Sequence, residues 1–134
     1  MTPRGIRLDN PGNIRHGAAW RGLERKQDDP DFCAFIDPLH GIRALAKVLL
    51  AYESRHGLRT IREIISRWAP GNENDTESYI RAVSAWVNRG PTEFYDVTDP
   101  HAMAALVTAI IRHENGQNPY SEKMIREGVA LALA

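Results

Sequence analysis

Apolar positions recur along most of this chain at steps of three and four, the period of a helix with one buried face. After Asp37, the residues Leu39, Ile42, Leu45, Ala46, Leu49 and Leu50 trace such a face over about 18 residues. Asp37 is its expected cap, Pro38 its first helical residue and Gly57 its stop. Thr60-Ile61-Arg62-Glu63 has the spacing of a capping box for a short helix through Trp68, closed before Pro70. Residues 71–75 read as a polar loop. Asn74, Asp75 and Thr76 then form an N-cap cluster for a third helix over 76–88, ending near Gly90. Its apolar face holds Tyr79, Ile80, Val83, Trp86 and Val87. Asp99 and Pro100 open a fourth helix, which runs apolar from Met103 to Ile111 and stops at Gly116, with Pro119 beyond. Ser121 starts a final short helix carrying Met124, Ile125, Val129 and Leu133.

The first 36 residues do not share this period. They hold Asn-Pro-Gly-Asn, Arg-His-Gly and Asp-Asp-Pro-Asp clusters, with extended candidates at 13–16 and 32–36. This predicts a loop-rich segment with a small β-hairpin in front of a helical body. The whole is expected to be one mainly α domain over 1–134, with residues 1–36 as the loop and hairpin part and 37–134 as the helical part.

Composition narrows the picture only slightly. At 134 residues, 43% hydrophobic and 25% charged, the chain has the size and make-up of one globular domain. Its 17 basic and 17 acidic residues cancel, which counts against a partner held mainly by phosphate contacts. Within residues 1–26, however, six cations face two carboxylates, either a solvated basic face or a patch for an anionic polymer. A single cysteine, Cys33, forms no internal disulfide and reads as a small buried apolar residue. The start of the chain lacks a signal-peptide core and no window approaches a membrane span, so the expectation is a product made in the cytoplasm without membrane insertion.

Candidate chemistry centres on Glu114. It lies in the last turn of an apolar helix, where the negative end of the helix dipole disfavours a second negative charge. Burial there would act in the same direction, towards a carboxyl able to hold a proton for general acid work. The plain alternative is a solvated glutamate at a helix end. His16, His40, His56, His101 and His113 are scattered without the spacing of a metal site. No glycine-rich phosphate loop is present, and no cofactor is expected.

Three segments carry a resemblance: Arg4-Gly-Ile-Arg-Leu-Asp-Asn-Pro-Gly-Asn-Ile-Arg15, Trp20-Arg-Gly-Leu with Gln27-Asp-Asp-Pro-Asp-Phe32, and Trp68-Ala-Pro with Glu73-Asn-Asp-Thr-Glu-Ser-Tyr79. They resemble phage and prophage proteins described as virion-associated or endolysin-like. Leu8-Asp9 departs from that pattern, which usually has asparagines there, while Asn10 is kept. A fourth segment, Glu114-Asn-Gly-Gln-Asn-Pro119, is similar to the active-site turn of the lysozyme and lytic transglycosylase superfamily. In that superfamily the glutamate helix comes before the turn and hairpin; here it follows them, which implies a circularly permuted lysozyme-like fold.

The resemblance implies cleavage of peptidoglycan glycan strands by a muramidase or lytic transglycosylase, with Glu114 as general acid and Asp29 as second carboxylate. Asp28 and Asp31 are rivals for the second role, and Glu73 is a further acidic candidate. Asn10, Gln27, Asn74, Thr76 and Tyr79 are the implied substrate-binding residues. Trp20 and Trp68 are candidates for sugar stacking, with core packing the better reading of Trp68. A monomer acting on the cell wall, delivered by a holin, a virion or a secretion apparatus, is the implied setting. The competing expectation is a non-catalytic wall-binding or virion structural module of the same fold. A helical nucleic-acid-binding domain is a third reading, which the neutral charge disfavours.

Overall fold

The computed structural model describes the backbone of residues 1–134 and every side chain except those of Glu73 and Asn74. Six helices follow one another: α1 (Arg4–Arg7), α2 (Pro38–His56), α3 (Ile61–Trp68), α4 (Glu73–Val87), α5 (Pro100–Asn115) and α6 (Glu122–Leu133). The architecture is mainly helical.

Most helix ends follow from local chemistry. The side chains of Asp37, Thr60, Asp99 and Ser121 each accept a backbone N–H three residues on, satisfying donors that a helix start leaves free. Gly57 and Gly116 close α2 and α5 with φ of 64° and 70°, a left-handed turn that costs a glycine little. The capping box at Thr60 is reciprocal: Glu63 accepts from the N–H of Arg59 while the Thr60 hydroxyl accepts from the N–H of Glu63.

Two expectations are corrected. The third long helix begins at Glu73, not Thr76, because Asn72 caps it, accepting the Asp75 N–H at 3.4 Å. The expected cap cluster therefore lies inside the first turn. Its other end is turned by Asn88, which takes the left-handed conformation at φ 56° in place of Gly90. The single turn α1 was also unexpected, since four residues are too few to show a period.

Helix α5 is the centre of the body. Met103, Leu106, Val107, Ile110 and Ile111 follow the spacing i, i+3, i+4, i+7, i+8 and are all fully buried. They pack against α4, α6, α2 and α1. Helix α2 lies along α6, and Gly128 makes that approach possible, since a Cβ there would sit 2.9 Å from Ile42 Cβ. No helix among the described residues is long and apolar enough to cross a membrane.

The expected β-hairpin reduces to bridges. Arg15 pairs with Phe32 and Leu23 with Phe35, both antiparallel, and neither extends into a strand. The cause is the backbone on either side: Asn13 and Gly17 have φ of 52° and 141°, which breaks the extended run after a few residues. The two expected segments are nonetheless neighbours, joined by Cys33 N–H to Ile14 O at 2.9 Å and His16 N–H to Asp31 O at 3.2 Å. Cys33 is buried, as expected, and burial pushes its thiol pKa up.

Candidate active site

The last turn of α5 meets the N-terminal segment across a groove of about 420 Å³. One wall is Gly12, Asn13, Ile14, Arg15 and Phe32; the other is Val48, Tyr52, Trp68, Ala69 and Glu114. Glu114 thus faces the N-terminal turn although the two lie at opposite ends of the chain.

Neighbouring residues in that turn divide the work. Asn115 points inward and donates to Pro11 O at 2.8 Å and Ile111 O at 2.9 Å, tying the end of α5 to the N-terminal segment. Glu114, half-buried, points into the groove. Its Oε2 accepts the Tyr79 hydroxyl at 2.9 Å and faces Trp68 Nε1 at 3.4 Å. Its Oε1 accepts Asn13 Nδ2 at 3.1 Å. Three donors from three different elements therefore orient one carboxylate. Tyr79 is itself buried beneath this site, and burial together with the charge of Glu114 raises its hydroxyl pKa far above the ordinary value, keeping it a donor. The His113 ring stacks on Tyr79 with centroids 3.6 Å apart, and burial lowers the pKa of that imidazole.

The expected second carboxylate is elsewhere. Asp29 turns away from the groove and forms a two-pronged pair with Arg4, through Nε at 2.7 Å and through Nη2. Its Oδ1 also accepts the N–H groups of Asp31 and Phe32, both at 2.9 Å. These bonds hold the Asp29 carboxyl far below the usual carboxylate range, with Arg4 the largest cause. Asp31 joins the same arginine at 3.0 Å, and exposed Asp28 lies 3.9 Å from Lys26. Glu114 is the one carboxylate among the described residues that line the groove.

Most of the expected binding residues serve the backbone instead. Asn10 is fully buried, donates to the carbonyls of Ile14 and Cys33 at 2.9 Å each, and accepts the Ile14 N–H at 3.0 Å. Gln27 bridges Glu24 O and both backbone groups of Ala34. The Thr76 hydroxyl donates to Ala69 O at 2.6 Å and ties α4 to the end of α3. Trp20 packs half-buried against the core. The roles expected for Glu73 and Asn74 fall outside the described residues. Tyr79 alone of the expected binding residues reaches Glu114. Asn13 was missed, and Trp68, expected in the core, lines the groove. The Asn-Pro-Gly-Asn turn carried the signal for Asn13, because asparagine tolerates a left-handed residue whose side chain leaves the turn sideways.

No family model matches the sequence. Protein P5 of Pseudoalteromonas phage PM2 is 41% identical to it over 129 residues, covering 93% of this chain and 79% of the phage protein. The phage kinship expected from the Arg4 and Trp68 motifs is therefore present along nearly the whole chain. The chain belongs to the phage protein family that includes protein P5 of phage PM2.

Proposed function

We propose that the protein cleaves peptidoglycan glycan strands, with Glu114 as general acid, on a lysozyme-like arrangement whose glutamate helix has moved to the end of the chain. The observation that carries this reading is the oriented Glu114 carboxylate opposite the N-terminal turn in an open groove. A glycosidic bond breaks when a carboxyl proton reaches its leaving oxygen as an oxocarbenium-like centre develops. Oε2 is held by Tyr79 and Trp68, so Oε1, with the single donor Asn13, is the oxygen that presents the proton.

The absence of a second carboxylate among the described lining residues favours transglycosylation over two-carboxylate hydrolysis. The sugar's own acetamido oxygen then stabilises the developing cation. Glu114, left as carboxylate, takes the proton of the same sugar's 6-hydroxyl as that oxygen closes onto the anomeric carbon. Proton and bonds balance: one glycosidic bond to the leaving sugar breaks, one internal 1,6-acetal bond forms, and no water is consumed. The substrate places its action on the cell wall, after delivery by a virion, holin or secretion apparatus.

The test is digestion of purified sacculi followed by mass spectrometry. The expected products carry 1,6-anhydro ends, and Glu114→Gln lowers their release by about a hundredfold or more with an unchanged circular dichroism spectrum. Equal release by the Glu114→Gln variant removes the assignment. Wild-type protein that sediments with sacculi and releases nothing leaves a wall-binding module in its place.

A further inference from the structure

Two arginines flank the same ring. The guanidinium of Arg4 lies 4.4 Å from the Phe32 centroid and that of Arg15 lies 5.2 Å from it. Arg4 is paired with both Asp29 and Asp31. Arg15 has no carboxylate partner among the described residues, is exposed, and is the one cation lining the groove. It shares that groove with Glu114 without pairing to it. A guanidinium laid on an aromatic face is pre-oriented, and its edge stays free to make two parallel hydrogen bonds to a carboxylate.

That geometry selects among the chemical groups of the proposed substrate. The sugars of peptidoglycan offer hydroxyls and neutral acetamido groups. Its carboxylates lie on the peptide stem attached to the lactyl ether of every second sugar. We propose that Arg15 binds a stem-peptide carboxylate, so that the groove takes peptide-bearing strands in preference to stripped ones. This rests on the reading of the groove as a glycan site and adds the substrate's substituent to it. Arg15 is a specificity residue, while Glu114 is the reacting group.

The test separates binding from turnover. Isothermal titration uses the full chain and a disaccharide–tetrapeptide fragment that lacks the scissile linkage, compared with the same fragment after its carboxylates are converted to amides. The expected wild-type result is about tenfold tighter binding of the acidic fragment, the worth of a charge-assisted pair. Arg15→Gln narrows the difference to below about twofold, and Arg15→Lys, which keeps charge but loses the planar fork, falls between. Equal wild-type affinity for the two fragments overturns the inference, as does an undiminished preference in Arg15→Gln or no binding of either fragment. The sacculus digestion described above reports separately on cleavage, so loss of the Arg15 inference and loss of the glycan-cleaving reading give different results.

Discussion

Residues 1–36 and the helices that follow them supply the two walls of one groove, yet different forces order them. In the helical body, burial dominates: Ile42, Leu45, Leu49, Ile110 and Ile111 are fully excluded from water, and their backbone groups are satisfied within their own helices. In the N-terminal segment, side chains of Asn10, Gln27 and Asp29 take the place of a strand ladder and bond directly to backbone groups. The first kind of order is tolerant of polar detail; the second depends on it atom by atom. Polar residues in a loop-rich segment can therefore be scaffold, and the chemistry can sit on the helix end opposite.

The largest effect is expected from the body. Ile110→Ala removes a fully buried side chain from the middle of α5 and should cost about 2–5 kcal/mol in urea unfolding, lost uniformly across the molecule. A smaller loss comes from the seam between the two regions. A Cβ at Gly41 on α2 collides with the carbonyl oxygen of Asp9, a backbone atom that cannot rotate aside. Gly41→Ala should cost about 1–3 kcal/mol and lower the proposed glycan cleavage further than its stability loss alone explains, because the groove wall shifts. Cleavage that tracks stability alone speaks against that shift.

Asn10→Ala sharpens the contrast. It leaves the Ile14 N–H and the Cys33 carbonyl without a partner, while the Ile14 carbonyl keeps only the Cys33 N–H, at about 1–3 kcal/mol. Hydrogen exchange should accelerate at Ile14 and Cys33 and stay slow in α2 and α5. Uniform acceleration would mean that the segment and the body open together.

The smallest effect is the most specific in pH. Arg4 holds the Asp29 carboxyl well below its ordinary value near 3.8, so the pair adds stability above about pH 4 and loses it as pH falls towards the folded value. Arg4→Ala should unfold at lower urea than wild type at pH 7, and the gap should narrow steadily as pH falls from about 4 to 2, closing only below the folded value. A gap that stays constant over that range assigns the effect to packing on Phe32 instead.

The helices were legible because their signals are redundant: periodic apolar positions and capping side chains agree at α2, α3, α5 and α6, and terminal glycines join them at α2 and α5. The start of α4 was misplaced because Asn72, Asn74, Asp75 and Thr76 are all competent caps, and residue type does not choose among them. Glu114 was legible from its position at the end of an apolar helix. Asp29 was misread for a physical reason: an aspartate that caps a turn and pairs with Arg4 has the same sequence context as one facing a substrate. Trp68 meets both readings of it, because a tryptophan at a helix end offers one face to the core and its N–H to a groove.

The bond from Asn13 to Glu114 joins residues 101 positions apart, and that from Asn115 to Pro11 spans 104. During synthesis Asn13 leaves the ribosome on the order of five to twenty seconds before Glu114. Until α5 arrives, the early segment lacks the helix end that anchors it, and Glu114 lacks a place to act before Asn13 can meet it. The activity proposed for this chain is thus a property of the finished molecule: a fragment truncated before α5 would carry the recognition wall and no acid.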